Sequence, residues 1–284
     1  MGKIVAPGNL QQAGNGIAVS TPVPAGRRRI NAPVPAWLKR LLGPVVLLGL
    51  WFLLSETGLL SEQQLPAPGT VASKFVELVE SGALQENLAI SLRRAVVGLV
   101  IGVVAGVGLA LVSGLSRLGE YLIDAPMQML RSMPILALVP LAIVWFGIGE
   151  EVKVFLVALG VAFPVYLNTH AGICGVDSRF IELADVVGLS KRELIRRVIM
   201  PGSLPGFFTG MRFAVSIAWL ILVVSEQINA DSGIGFLMTQ ARNFGQTETI
   251  VVGLVVYAFL GLISDALVRL AERRALRWRS TLQR

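Results

Sequence analysis

Residues 177–205 read DSRFIELADVVGLSKRELIRRVIMPGSLP, the longest charged interval in an otherwise apolar chain. Phe180, Ile181, Ala184 and Val187 recur at helical spacing, and Asp177 or Ser178 can accept a bond from the free amides of the first turn. Gly188 ends that helix. Ser190 followed by Glu193 is a capping box, in which each side chain satisfies the other's backbone N–H and starts a second helix. Leu194, Ile195, Val198 and Ile199 make one face of this second helix, Lys191, Arg192, Arg196 and Arg197 the other, and Pro201-Gly202 is expected to stop it. The stretch therefore predicts two short amphipathic helices, built to be docked onto.

What surrounds it is membrane protein. Of the 284 residues, 54% are hydrophobic and only 15% charged, and the mean hydropathy is +0.70. Apolar surface on that scale exceeds what a soluble core can hide, so lipid must be part of the solvent. The single cysteine, Cys174, excludes an internal disulfide and any Cys-rich metal site. With His170 the only histidine, neither a His-based metal site nor a Ser-His-Asp hydrolase is expected. The net charge of +7 does not point to nucleic acid, because Lys and Arg are dispersed between apolar spans rather than gathered on one face. No G-x4-G-K-[ST] loop occurs, so the chain cannot cradle nucleotide phosphates in the Walker manner.

Uncharged runs near the roughly 20 residues needed to cross a bilayer give six expected spans: about Leu41–Leu60, Ala95–Leu115, Leu122–Phe146, Val154–Val176, Phe207–Ile228 and Thr249–Val268. Residues 1–36, rich in Gly, Pro, Ala and Gln, read as a disordered tail. No convincing cleaved signal peptide is present. Pro66-Ala67-Pro68 breaks the chain after the first span, and Val71–Glu80 reads as an amphipathic helix outside the membrane. Gly98, Gly102 and Gly106 recur every fourth residue in the second span and predict close approach by another helix. Pro126, Pro134 and Pro140 predict that the third span is kinked or broken, which membranes tolerate only where protein or a water-filled cavity satisfies the freed backbone.

The Lys/Arg bias sets the orientation. With the N-terminus inside, eighteen of the 25 Lys and Arg residues fall in inner segments and three, Lys74, Lys153 and Arg242, in outer ones; Arg93, Arg94, Arg131 and Arg212 lie at or within spans. Both termini and residues 177–205 are therefore expected on the cytoplasmic side.

Glu182-x-Ala184-x3-Gly188-x9-Val198-x-Met200-Pro201 resembles the EAA loop of bacterial ABC importer permeases, Glu-Ala-Ala-x3-Gly-x9-Ile-x-Leu-Pro. Leu183, Val198 and Met200 depart from that pattern conservatively. Three further segments, Gln128–Pro134, Trp145–Gly149 and Asn229–Phe236, resemble the sulfonate, taurine and nitrate permeases, the aliphatic sulfonate permeases most of all. The resemblance implies an all-α integral membrane protein of six transmembrane helices. Residues 1–36 form a tail, 37–83 the first helix and an external segment, 84–268 the permease domain, and 269–284 a basic cytoplasmic tail. It implies that Glu182, Ala184, Asp185, Gly188, Leu189, Val198 and Pro201 form a coupling helix seated on an ATPase subunit. The implied complex, in a bacterial inner membrane, has two permease copies, two ATPases and an external binding protein. This chain then needs no cofactor or metal of its own, Mg-ATP being bound by the partner ATPase.

Ionisable and polar groups within spans are the candidates for the path of an anion. Arg131, beside the broken span, either lines that path or is a structural arginine at the inner interface. Arg212 reads as an interfacial anchor. Glu226 and Gln227 belong either to an outer gate or to the headgroup boundary, while Asn168 and His170 either line a cavity or bond between helices. Ser216 and Trp219 share a face of the fifth span that, by the resemblance, meets the dimer axis. A secondary transporter would fit the spans but gives no reason for the coupling pattern. A membrane enzyme would need paired intramembrane carboxylates or a His cluster, which the sequence does not suggest. A scaffold with no transport role would not need three prolines and an arginine in one span.

Overall fold

In the computed structural model, residues 36–57, 61, 64–228 and 230–278 are described. The expected tail over residues 1–36 lies outside them apart from Ala36, as do the last six residues of the basic tail. The chain divides into two compact units, residues 1–49 and 50–284. Of the first, the described part is the opening of helix α1 (Ala36–Glu56), whose residues 42–49 are exposed.

The second unit is helical throughout its described elements. After α1 come α2 (Pro68–Glu80), α3 (Ala83–Leu115), α4 (Arg117–Arg131), a 3-10 turn (Ile135–Leu138) and α5 (Val139–Phe146). Then follow α6 (Glu150–Cys174), α7 (Ser178–Val186), α8 (Lys191–Leu194), a π-helical turn (Ile195–Ile199), α9 (Met200–Ile228), α10 (Ile234–Asn243) and α11 (Thr247–Ala275). Pro68 occupies the first position of α2, where its missing N–H costs no helical bond. The buried Val71 and Leu78 pin α2 to Val252 of α11.

Among the described residues four helical stretches are long and apolar enough to cross a membrane: 83–115, 150–174, 191–228 and 247–275. A fifth arises if α4 and the 135–146 segment, bent by 93° at Ser132–Pro134, count as one broken span. The break falls where the prolines predict it. Of the expected first span, residues 58–60 lie outside the described ones; the described apolar part, Leu42–Glu56, is by itself shorter than about 20 residues, so among the described residues a sixth span is not confirmed.

One expectation needs correction. Pro201 does not stop the helix: residues 191–228 run on as one helix through the π turn. Proline inside an α-helix lacks an N–H and clashes with the carbonyl four residues back; the wider turn at Ile195–Ile199 moves those groups apart before Pro201 arrives. The last helix continues past the expected span into the basic tail, carrying Arg269, Arg273 and Arg274 as far as Ala275. Cationic side chains suit a helix C-terminus, where the carbonyls carry partial negative charge.

Helix α6 is the axis of the unit. Two-thirds of its apolar window (67%) is buried, against 17% for α11, so α6 is the inner helix and α11 a peripheral one. It is sandwiched between α3 and α9. The partner of the glycine stripe is α6: a Cβ on Gly98 would lie 2.6 Å from Val157, and Gly102 and Gly106 face Val161 and Val165 in the same way. The register rises along both helices, so α3 and α6 run parallel, whereas Gly210 facing Pro164 and Gly172 facing Ser203 set α9 antiparallel to α6. The main core is built on Leu156, Val157, Val161 and Val165 of α6 with Ala214, Ala218, Ile221 and Leu222 of α9.

Candidate functional site

The 177–205 stretch forms two helical segments joined almost without a loop. Asp177 opens α7, its Oδ1 accepting from the Arg179 N–H at 3.0 Å. The helix closes with Gly188 at φ 76°, a left-handed conformation that disfavours any side chain. The Leu189 N–H donates to the Ala184 carbonyl at 2.9 Å and the Gly188 N–H to the Asp185 carbonyl at 3.0 Å, the paired bonds of a Schellman motif. One residue later the capping box is complete: the Glu193 N–H donates to Ser190 Oγ at 3.3 Å and the Ser190 N–H to Glu193 Oε2 at 3.2 Å. The spacing Ala184, Asp185, Gly188, Leu189, Ser190 thus reads as a rigid elbow.

Its surface is conspicuously bare. Ala184 is buried, but Phe180, Leu183, Val186 and Val187 are 57–85% exposed, and Glu182, Asp185 and Gly188 are exposed beside them. Leu189, Val198 and Pro201 are half-buried. Burying one such apolar side chain is worth about 1.5–3 kcal/mol, and a contiguous exposed patch of this kind marks an interaction surface. Beside the elbow, Val176, Phe180, Val198 and Pro201 help line a groove of about 540 Å3.

The far end of the bundle carries a buried charge cluster. Arg94 of α3 is 1% exposed, and the Glu226 side chain of α9 is fully buried. Arg94 Nη1 donates to Glu226 Oε1 at 2.7 Å and to the Ser232 carbonyl at 2.7 Å, and Nε donates to Glu150 Oε2 at 2.7 Å. Glu226 also accepts from Ser91 Oγ at 2.8 Å, Tyr257 Oη at 2.9 Å and the Gly235 N–H at 2.9 Å. The loop after α9 wraps this carboxylate: the Gly233 N–H donates to Asn87 Oδ1 and the Ile234 N–H to Ser91 Oγ. Gly233, at φ 109°, leaves no room for a Cβ against the Glu226 carboxylate. Lys153 adds a second buried cation 3.6 Å from Glu150.

The path candidates do not converge. Arg131 ends α4 with an exposed side chain, at the helix terminus where a cation is favoured. Asn168 is half-buried at the α6–α9 contact and donates to the Pro164 carbonyl of its own helix at 2.8 Å. Ser216 is exposed, but Trp219 is buried, packs edge-on against Tyr257 and donates to Ser264 at 3.1 Å. Trp219 thus points into the helix packing, while Ser216, three residues before it, is exposed. Glu226 lies in the buried cluster. His170 stacks on Tyr166 and approaches Cys174 Sγ at 3.6 Å, all within α6, so it makes no interhelical bond among the described residues. Arg212 pairs with Asp265 of α11 at 3.3 Å. Arg94 was missed as a site; its signal was the Arg93-Arg94 pair at the edge of one apolar run and Glu226 at the end of another, since charges within membrane spans are tolerated best when paired.

Comparison with known proteins adds the lineage. The family model of the binding-protein-dependent transport system inner membrane component matches residues 98–277. The chain is 48% identical to the aliphatic sulfonates transport permease protein SsuC of Escherichia coli, over 83% of this chain and 89% of that one. It is 40% identical to the SsuC protein of Bacillus subtilis, over 86% and 88%. To the taurine transport system permease protein TauC of Escherichia coli it is 32% identical, over 84% and 88%. The crystal structure of an amino acid ABC transporter with histidines superposes with a TM-score of 0.57 at 20% identity, covering 70% of this chain and 98% of that chain.

Proposed function

Because this chain belongs to the family of binding-protein-dependent transport system inner membrane components, we propose that it is the channel-forming subunit through which aliphatic sulfonates cross the inner membrane, driven by ATP that separate subunits hydrolyse. It is an ABC importer permease, a multi-pass membrane protein and not itself an enzyme. The observation that carries the coupling part is the elbow at Ala184–Ser190 with its exposed Phe180, Leu183, Val186 and Val187. Those side chains seat in a cleft of an ATPase subunit, which binds Mg-ATP. Two permease copies and two ATPases assemble, with both termini cytoplasmic and a binding protein delivering substrate on the other side. When the ATPases close, the elbow is displaced; its Schellman bonds and capping box keep it from yielding, so the motion passes into the helix that begins at Lys191.

The sulfonate part rests on the degree of likeness: 48% identity to a relative named for aliphatic sulfonates, against 32% to one named for taurine. Arg131 is the side chain assigned to the anion along the path, with Asn168 and Ser216 as separate polar candidates on α6 and α9. The test is deletion of the gene followed by growth on single sulfur sources: ethanesulfonate, longer alkanesulfonates, taurine and sulfate, with nitrate tested as nitrogen source. Growth on alkanesulfonates alone is lost and is restored by the intact gene but not by Gly188→Pro, since proline cannot adopt the positive φ of that position. Loss of growth on taurine or nitrate instead refutes the substrate; full rescue by Gly188→Pro refutes the coupling role.

A further inference from the structure

Arg94 and Glu226 form a buried cluster sealed inside the helix packing, the Glu226 side chain fully so. A structural reading alone leaves its placement unexplained, because replacing a buried ion pair by apolar residues is often neutral or stabilising. What singles it out is where it sits. Glu226 stands at one end of the helix 191–228, and the elbow of residues 184–190 stands at the other. At 1.5 Å per residue that single helix is about 57 Å long.

The two ends are built differently. Near the elbow the side chains are loosely held: the Arg197–Glu193 pair at 3.3 Å is exposed, and the backbone passes through a π turn. At the far end the same helix is gripped from every side. Through Glu226 it is bound to Ser91 and Arg94 of α3, Tyr257 of α11 and the Gly235 amide; through Arg94 it is bound to Glu150 of α6 and to Ser232. Sliding this end of α9 past α3 or α6 would strand a buried charge. The segment 232–235 is the keeper: the Gly233 and Ile234 amides tie it to Asn87 and Ser91 of α3, the Gly235 amide donates to the Glu226 carboxylate, and the small Gly233 and Gly235 let the backbone lie against that carboxylate.

We propose that the Arg94–Glu226 pair, with Ser91, Tyr257 and the 232–235 segment, is a clasp that makes the far ends of α3, α6, α9 and α10 follow the coupling helix as one body. Glu226 and Arg94 are thus positioning residues for transport, acting at the end of the lever opposite to the ATPase. The inference rests on the coupling reading above and assigns the residues that receive the displacement.

The test uses the complete complex of permease, ATPase and binding protein in lipid nanodiscs, on a Cys174→Ser background. Spin labels are placed at Lys191→Cys or at Arg242→Cys, and distances between the two copies are measured with and without ATP and vanadate. In the otherwise native chain both distances change on trapping. In Glu226→Gln, where Arg94 keeps Glu150 as its counter-charge, the 191 distance still changes while the change at 242 falls at least twofold. Ethanesulfonate moved per ATP in matching proteoliposomes drops fivefold or more. Tyr257→Phe, which removes one bond to Glu226 and leaves the ring, gives about a twofold drop in the same ratio and guards against a Glu226 variant that does not fold. A full change at 242 together with an unchanged ratio in either folded variant overturns the clasp alone. Absence of any ATP-dependent change at 191 in the native chain overturns the coupling reading, and the clasp with it.

Discussion

The sharpest structural prediction concerns two glycines on one helix, Gly102→Ala and Gly108→Ala. Both changes replace glycine by alanine in α3, so both gain the same roughly 0.5–1 kcal/mol of helix propensity. The surroundings differ. A Cβ at 108 meets nothing within 4 Å, whereas at 102 it would lie 2.7 Å from Val161 Cβ and against the Ala158 carbonyl oxygen. Carbon atoms pack best at about 3.5–4.0 Å, so α3 and α6 must part by roughly 0.8 Å along a seam where Gly98 and Gly106 also touch α6. A carbonyl of helix backbone cannot swing away as a flexible side chain could. Overpacking of this kind costs about 1–3 kcal/mol, and because the propensity gain cancels between the variants, that is the expected gap between them. Equilibrium unfolding by sodium dodecyl sulfate in mixed micelles, followed by far-ultraviolet circular dichroism, measures it. Gly108→Ala is as stable as the parent or slightly more stable, and Gly102→Ala is destabilised. Equal stability of the two would refute the parallel α3–α6 contact.

Other changes test other elements. Arg94→Met strands the Glu226 carboxylate and lowers stability in the same assay by about 3–5 kcal/mol, while Arg94→Met with Glu226→Gln recovers part of that loss; equal losses would argue against the pair. Ser190→Ala removes the capping box and costs about 1 kcal/mol, with faster amide exchange confined to residues after 190; exchange unchanged there would show the cap to be irrelevant. Gly188→Ala must hold a side chain in left-handed backbone at a cost of about 1–2 kcal/mol and leaves the protein inserted in the membrane; an unchanged melting temperature would contradict the αL elbow. Trp219→Phe loses the bond to Ser264 but keeps the contact with Tyr257, and so costs only about 0.5–1.5 kcal/mol; a larger effect on transport than on stability would return Trp219 to the path.

Much of this was legible in the sequence because local chemistry dictated it. Ser190 and Glu193, Asp177 and Gly188 act within a few residues of themselves, so their caps and turn read directly from spacing. The three-proline break between α4 and α5 belongs to the same class. Where the outcome depended on geometry between helices, the sequence was silent or misleading. The glycine stripe called for a partner, but only packing identifies it as α6. Trp219 and Ser216, three residues apart, differ in burial because α11 covers Trp219 through Tyr257 and Ser264, which spacing alone does not reveal. Pro201 seemed to end a helix, because periodicity cannot foresee a π turn that accommodates it. Arg94 and Glu226 lie 132 residues apart, and nothing short of the fold joins them.

The most direct test of the account is ATP-driven uptake of labelled ethanesulfonate by proteoliposomes that hold the permease with its ATPase and are supplied with binding protein, comparing the native chain with Leu183→Asp. A charge at the exposed Leu183 leaves the helices of the membrane unit untouched but opposes burial of the elbow in a partner. The account predicts ATP-dependent uptake by the native complex, and for Leu183→Asp a correctly inserted permease that fails to retain the ATPase and transports at background level. Uptake by the permease without ATP, or full ATP-driven uptake by the Leu183→Asp complex, would contradict it.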